Sequence, residues 1–193
     1  MNIIKRAVTV LTKPREFFSV MKKETGYRNA WLYFAVLSLV FTALSTAVVL
    51  VFGPVLLTGF FSFVGMPTSL PPEASLSIVL TTVLGYAFGL AMVFVGAGLL
   101  HIWVLIFGGK GGYQKSFQLA VYASTPKYVF GWIPFIGGLS GIYDLILVII
   151  GTQALHGISK KKAILMYVIP AVLFLIIWLV SMAFIYAMSK RVV

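Results

Sequence analysis

Continuous apolar runs of about twenty residues or longer dominate this sequence. With 61% hydrophobic and 10% charged residues among 193, the chain has more apolar surface than a globule of this size can bury, so the surplus must face lipid. Inside a bilayer each segment has to satisfy its own backbone hydrogen bonds, and a β-barrel would need short strands of alternating polarity rather than uninterrupted runs. The sequence therefore predicts an all-α, polytopic membrane protein.

Five transmembrane helices are expected after a cytoplasmic N-terminal segment. Gly53 and Pro54 are predicted to bend or end the first helix. Residues 55–75 contain no basic residue and are predicted to form a partly apolar loop on the non-cytoplasmic side. We place the cytoplasmic segment at residues 1–29 and the transmembrane domain at residues 30–193, with spans at about 30–52, 78–107, 113–133, 136–155 and 163–188.

The N-terminal segment combines an apolar stripe at helical spacing with intervening cations. This pattern is typical of an amphipathic helix lying in a membrane interface; the alternative is a cytoplasmic cap packed on the bundle with a solvated basic face. Pro14 suits the first turn of a second short helix, and no cleaved signal peptide is expected. The stripe consists of Ile3, Ile4, Ala7, Val8, Leu11, Phe17, Phe18 and Met21.

Cations are distributed very unevenly along these spans. The formal net charge is +11, and twelve of the fifteen Lys and Arg residues fall on the side of the N-terminus, which predicts a cytoplasmic N-terminus and a non-cytoplasmic C-terminus. Because they lie at the ends of apolar segments, they indicate anionic lipid headgroups rather than nucleic acid as the partner. The candidate contacts are Lys5, Arg6, Lys13, Arg15, Lys22, Lys23, Lys160, Lys161 and Lys162.

Asp144 is the acidic residue that falls inside a predicted span, where an unpaired carboxylate costs several kcal/mol. If the third and fourth spans form an antiparallel hairpin, Lys127 lies at a similar depth, which predicts a Lys127–Asp144 ion pair. The alternatives are a proton or substrate site, and a Lys127 side chain that extends to the membrane surface. The candidate intramembrane polar site comprises Asp144, Lys127, Thr125, Tyr122 and Tyr86.

Other chemistry is poorly supported by the sequence. The absence of cysteine excludes disulfides and thiolate chemistry. His101 and His156 alone make a weak ligand set, so we expect no metal, no cofactor and no catalytic residues. The pairs Gly85/Gly89 and Gly137/Gly141 permit close helix approach, which favours packing within the chain over a homo-oligomer interface.

A series of short motifs follows in a fixed order along nearly the whole chain. In that order and spacing they resemble the Yip1 domain family, whose members have five spans and a cytoplasmic N-terminus. They are Lys-Pro-Arg-Glu-Phe-Phe at residues 13–18, Gly-Gly-Tyr at 111–113, Tyr-Ala-Ser-Thr-Pro at 122–126, Ile-Pro at 133–134, and Gly-Thr-Gln-Ala-Leu-His-Gly-Ile-Ser-Lys-Lys-Lys-Ala at 151–163.

The resemblance to this family implies no catalytic residues. Eukaryotic relatives act in traffic between endoplasmic reticulum and Golgi and contact Rab-type GTPases, partly through longer N-terminal regions; this compact chain looks more like the prokaryotic branch. We expect a non-enzymatic membrane protein that binds lipids or partner membrane proteins. The alternative is a small channel, scramblase or transporter with a polar cavity near Asp144.

Overall fold

A computed structural model describes the backbone of residues 2–64 and 74–192, and the side chains of residues 2–53 and 76–188. The described part of the chain is all α-helical, as predicted from the long apolar runs. Its helices are α1 (Ile3–Thr12), α2 (Pro14–Met21), α3 (Arg28–Val64), α4 (Ala74–Ile106), α5 (Tyr113–Ala123), α6 (Thr125–Phe130), α7 (Ile136–His156) and α8 (Lys160–Val192).

Four of these helices are long and apolar enough to cross a membrane within the described ranges. The qualifying segments are Arg28–Gly53, Leu76–Ile106, Ile136–His156 and Lys160–Met188. Helix α3 continues to Val64, so Gly53 and Pro54 do not end it, and the alternative that they bend it stays a prediction. The loop predicted at residues 55–75 was therefore wrong at residues 55–64 and 74–75, which belong to α3 and α4, and its residues 65–73 lie outside the described residues.

The predicted third span is two short helices rather than one long helix. α5 has 11 residues and α6 has 6, and about 16 Å of helix in α5 falls well short of the bilayer's hydrocarbon thickness of roughly 30 Å. The helix breaks at Ser124 because Pro126 cannot donate a backbone hydrogen bond. Hydroxyls replace the lost donors: Ser124 Oγ binds the Ala120 carbonyl and Thr125 Oγ1 binds the Tyr122 carbonyl. A crossing by α5 and α6, and hence the count of five, stays a prediction.

The N-terminal helices pack on the bundle with one part of their apolar stripe. Ala7, Phe17 and Phe18 are buried, and the Tyr143 hydroxyl of α7 donates to the Leu11 carbonyl at the end of α1. This contact agrees with the cap alternative. The opposite side of α1 stays apolar and exposed, with Ile4 at 75% relative exposure.

A tight turn joins α6 to α7. Phe135 adopts a positive φ of 67° there, which a non-glycine residue rarely does, and its ring is exposed. Gly131 and Gly137 allow the two sides of the turn to touch, because a Cβ on Gly137 would lie 2.5 Å from the Gly131 carbonyl oxygen. Gly85, Gly89 and Gly141, by contrast, have open space where a Cβ would be, so those three do not mediate close packing within the chain.

Adjacent glycines at this turn provide a test of the close approach. We expect Gly137→Ala to destabilise the protein by about 1–3 kcal/mol, because backbone atoms would have to move to admit the methyl group. Gly138→Ala is the matched control, since its Cβ would meet nothing within 4 Å and alanine favours a helix. Thermal unfolding of both variants in detergent measures the difference. Equal midpoints would contradict the described turn.

Candidate functional site

A buried ion pair attaches the N-terminal helices to α5. Arg6 of α1 lies 2.9 Å from a carboxylate oxygen of Glu24, and the two side chains are only 11% and 9% exposed. The Tyr122 hydroxyl of α5 accepts from the Arg6 guanidinium and donates to Glu24 at 3.0 Å. Each member of this triad therefore contacts the other two, and residues 116 positions apart in sequence meet.

The backbone that follows α2 is held by polar side chains of α5. Lys115 Nζ donates to the carbonyls of Met21 and Glu24, at 3.0 and 2.7 Å. Gln114 and Gln118 each donate to the Glu24 carbonyl at 3.2 Å. These bonds explain why a helix predicted to span the membrane carries so many polar groups: α5 binds the connection between α2 and α3 rather than facing lipid.

The environment of Arg6 keeps its guanidinium charged. Burial lowers the pKa of Arg6, but the hydrogen bond and the negative charge of Glu24, together with Tyr122, more than offset this effect, so the pKa is raised. The Arg6 guanidinium is therefore paired with a carboxylate inside the protein. It differs in this respect from the other eight candidate lipid contacts, whose side chains are all exposed.

The five residues of the predicted intramembrane polar site do not form one cluster. Tyr122 belongs to the triad with Arg6 and Glu24, while Thr125 is buried with its hydroxyl 2.8 Å from that of Tyr33 on α3. Tyr86 of α4 donates to the Ala35 carbonyl of α3 at 3.0 Å. Each hydroxyl thus has its own partner, which is the arrangement that buried polar groups require.

Asp144 and Lys127 are neighbours, as the hairpin argument predicted, but their side chains do not form the predicted ion pair. Asp144 Oδ1 accepts from the backbone N–H of Lys127 at 3.2 Å. Among the described side chains, the ion pairs within 4.0 Å are Arg6–Glu24 and Lys13–Glu16. The Lys127 ammonium instead lies 5.7 Å from the centre of the Tyr128 ring. Pro126 explains the backbone contact, because the break at the start of α6 leaves the N–H of Lys127 without an intrahelical acceptor.

A groove of about 440 Å³ lies beside Asp144, between α4, α5, α7 and α8. Small residues form much of its wall, including Gly96, Gly141 and Ala171, and these three are exposed at the edge of the groove. The carboxylate is therefore half-buried in a cleft that opens on the side of the helical bundle. A groove of this kind has room for part of a small molecule but lacks the enclosed walls of a typical enzyme pocket.

The two histidines meet through a serine. Ser116 Oγ of α5 lies 2.9 Å from His101 Nδ1 on α4 and 3.3 Å from His156 Nε2 at the end of α7. Ser116 and His156 are almost completely buried, so substrate cannot reach the hydroxyl in this arrangement. The cluster connects three helices at the end of the bundle that also holds the loop at residues 107–112, where the Lys110 N–H donates to the His156 carbonyl.

The basic segments gather at this same end. Lys115 contacts the connection after α2, Lys110 contacts the end of α7, and Trp103 near the end of α4 donates to the Met166 carbonyl in the second turn of α8. Comparison with known protein families shows that the Yip1 domain model matches residues 8–182. The chain belongs to the Yip1 domain family. No curated protein and no solved structure matches this Yip1 domain protein.

The sequence reasoning missed Glu24 and Lys115 as partners of the N-terminal helices. One signal was present: Glu24 is one of only four acidic residues among 193, and it lies between Lys23 and the next cation, Arg28. The cations on both sides of Glu24 favour a salt bridge for its carboxylate. Its partner, however, lies on α1, and the geometry depends on α5.

Removing the Glu24 charge tests the triad. We expect Glu24→Gln to destabilise the docked N-terminal helices by on the order of 3–5 kcal/mol, because Arg6 keeps its buried charge and loses the carboxylate. Limited proteolysis between residues 12 and 27, together with thermal unfolding in detergent, reports the effect.

The matched control is Glu16→Gln, which breaks an exposed pair with Lys13 and should change stability by less than about 1 kcal/mol. The double variant Arg6→Met/Glu24→Gln should recover part of the loss. Equal sensitivity of the Glu16 and Glu24 variants would argue against a buried pair.

Proposed function

We propose that this Yip1 domain protein is a non-enzymatic membrane protein that binds anionic lipid headgroups through its basic end and acts in membrane organisation. The observation that carries the proposal is the gathering of exposed cations at one end of an apolar bundle. Near a membrane surface, each such cation contributes about 1 kcal/mol of attraction to anionic lipid. The exposed members are Lys5, Lys13, Arg15, Lys22, Lys23, Lys160, Lys161 and Lys162.

The docked N-terminal helices suit a position at the membrane interface. Ile4, Val8 and Val20 are 75%, 53% and 61% exposed while neighbouring lysines stay solvated. Their burial among acyl chains would contribute hydrophobic free energy in addition to the attraction between charges. The same surface also offers a binding face for partner membrane proteins. Its role would then be similar to that of the eukaryotic relatives in membrane traffic.

The orientation that we propose places this basic end in the cytoplasm and the C-terminus on the other side. Helices α3 and α8 both start at the basic end, and α8 runs for 33 residues, about 50 Å. Because the chain has no cysteine, the single substitutions Lys161→Cys and Lys190→Cys show on which side of the membrane each position lies. In intact cells an impermeant maleimide should label only the second; labelling of the first alone would reverse the orientation.

A charge-removal experiment tests the headgroup proposal. The protein is held in nanodiscs of neutral lipid and mixed with vesicles, and retention is compared between vesicles rich in phosphatidylglycerol and vesicles of phosphatidylcholine. We expect strong retention by the anionic vesicles at low salt and its loss at about 1 M salt, where the Debye length is about 3 Å. The variant Lys160→Gln/Lys161→Gln/Lys162→Gln should bind several-fold more weakly.

The control replaces the same number of cations outside the exposed basic set, as Lys127→Gln/Lys190→Gln/Arg191→Gln. Its retention should match that of the unmodified protein. Equal retention of the protein by anionic and neutral vesicles at low salt would refute headgroup recognition.

A second function is favoured by the groove beside Asp144. A polar group in a cleft open to the bilayer is a feature of channels, scramblases and transporters. Lipid-flip and ion-flux assays on reconstituted protein, compared with Asp144→Asn, test this function. Flux that is equal to that of empty vesicles in both forms would eliminate it.

A further inference from the structure

Among the described side chains, no cation lies within 4.0 Å of the Asp144 carboxylate, and the Lys127 ammonium acts on it only from a greater distance. The carboxylate's described hydrogen bond is a single one of 3.2 Å from a backbone N–H. The side chain is half-buried, near the middle of a helix that is apolar enough to cross a membrane. A half-buried carboxylate without a close counter-ion would be stabilised by a cation that another molecule brings within contact distance.

The walls of the groove restrict what that cation can be. A metal ion would need several oxygen or nitrogen ligands, yet among the described residues no group of three or more His, Asp or Glu side chains lies together. The remaining walls are chiefly aliphatic, formed by residues such as Leu100, Leu145 and Val148. These surfaces suit hydrocarbon, so the fitting cation is one attached to hydrocarbon.

The direction in which the groove opens favours a lipid over a water-soluble amine. Gly96 of α4, Gly141 of α7 and Ala171 of α8 are exposed at its edges, and the neighbouring Leu99 and Ile142 are 65% and 60% exposed. Large exposed apolar side chains on spanning helices face acyl chains. A ligand therefore enters from the side, within the bilayer, and its tails can remain in lipid while its headgroup reaches Asp144.

We propose that this groove binds a phospholipid with an ammonium headgroup, with the ammonium against the Asp144 carboxylate and the acyl chains along α4 and α8. The phosphoethanolamine headgroup fits best, because its N–H groups can donate to the carboxylate, which choline cannot do. This site goes beyond the proposed binding at the basic end. Here the protein supplies a carboxylate that contacts the ammonium of a zwitterionic headgroup, whereas at the basic end it supplies cations, and this site lies within the bilayer.

Native mass spectrometry of the full chain, released from detergent with added lipid, tests the assignment. The probes are phosphatidylethanolamine, phosphatidylcholine and phosphatidylglycerol with identical acyl chains. We expect one saturable phosphatidylethanolamine molecule per chain, bound at least tenfold more tightly than the other two. In Asp144→Asn this preference should fall to threefold or less, while Glu16→Gln, which removes an exposed carboxylate, should leave it unchanged.

A second pair of variants distinguishes the contribution of the groove's shape from that of the Asp144 charge. Gly96→Leu would fill the groove from α4 while leaving Asp144 in place, and Gly85→Leu on the same helix lies outside it. Both positions have open space at Cβ, so both variants should fold. Loss of phosphatidylethanolamine binding in the first and its retention in the second is the expected result.

Several outcomes would overturn the site. They are equal binding of the three lipids, an unchanged preference in Asp144→Asn, and full competition by soluble glycerophosphoethanolamine, which would mean that the occupant needs no acyl chains. The triple variant at residues 160–162 should keep this preference even though it loses retention on anionic vesicles. The two proposals can therefore fail independently.

Discussion

The contact between Arg6, Glu24 and Tyr122 is the interaction on which the arrangement of this protein's basic end depends. It directs the Arg6 guanidinium into the protein, where the guanidinium fixes α1 and α2 against α5. Taking two charges out of water is costly unless both have further partners, and the phenol supplies one to each. The position of the N-terminal helices, and of the lysines that they carry, follows from this contact.

The polarity of α5 follows from the same requirement. A helix with a lysine and two glutamines in its first two turns is a poor choice for facing lipid, and here those side chains bind the backbone between α2 and α3. With α5 buried among other helices, the break at Ser124 is tolerated, since local hydroxyls bind the carbonyls that the proline frees. The short pair of helices is thus a consequence of its position inside the bundle.

Much of this fold was predictable because hydrophobic length is a direct consequence of bilayer thickness. The long helices α3, α4, α7 and α8 were expected from uninterrupted apolar runs, and the proximity of Lys127 to Asp144 followed from counting residues back from the turn. The ion pair was not formed because the backbone break offers the carboxylate an N–H, which sequence periodicity does not reveal. Arg6 was predicted to contact lipid because its partner Glu24 lies 18 residues further along the chain, beyond α2, and sequence periodicity does not show that the two meet.

The separation of 116 residues between Arg6 and Tyr122 has a consequence for synthesis. At about 5–20 residues per second, a translating ribosome needs on the order of 10 s after Arg6 to produce the tyrosine that completes its binding site. During this interval α1 and α2 lack the surfaces of α5 and α7 on which they pack in the folded protein. Their nascent apolar and basic residues have the pattern of segments that rest on a membrane surface, so we expect a membrane leaflet to hold them until the bundle buries Phe17, Phe18 and Arg6.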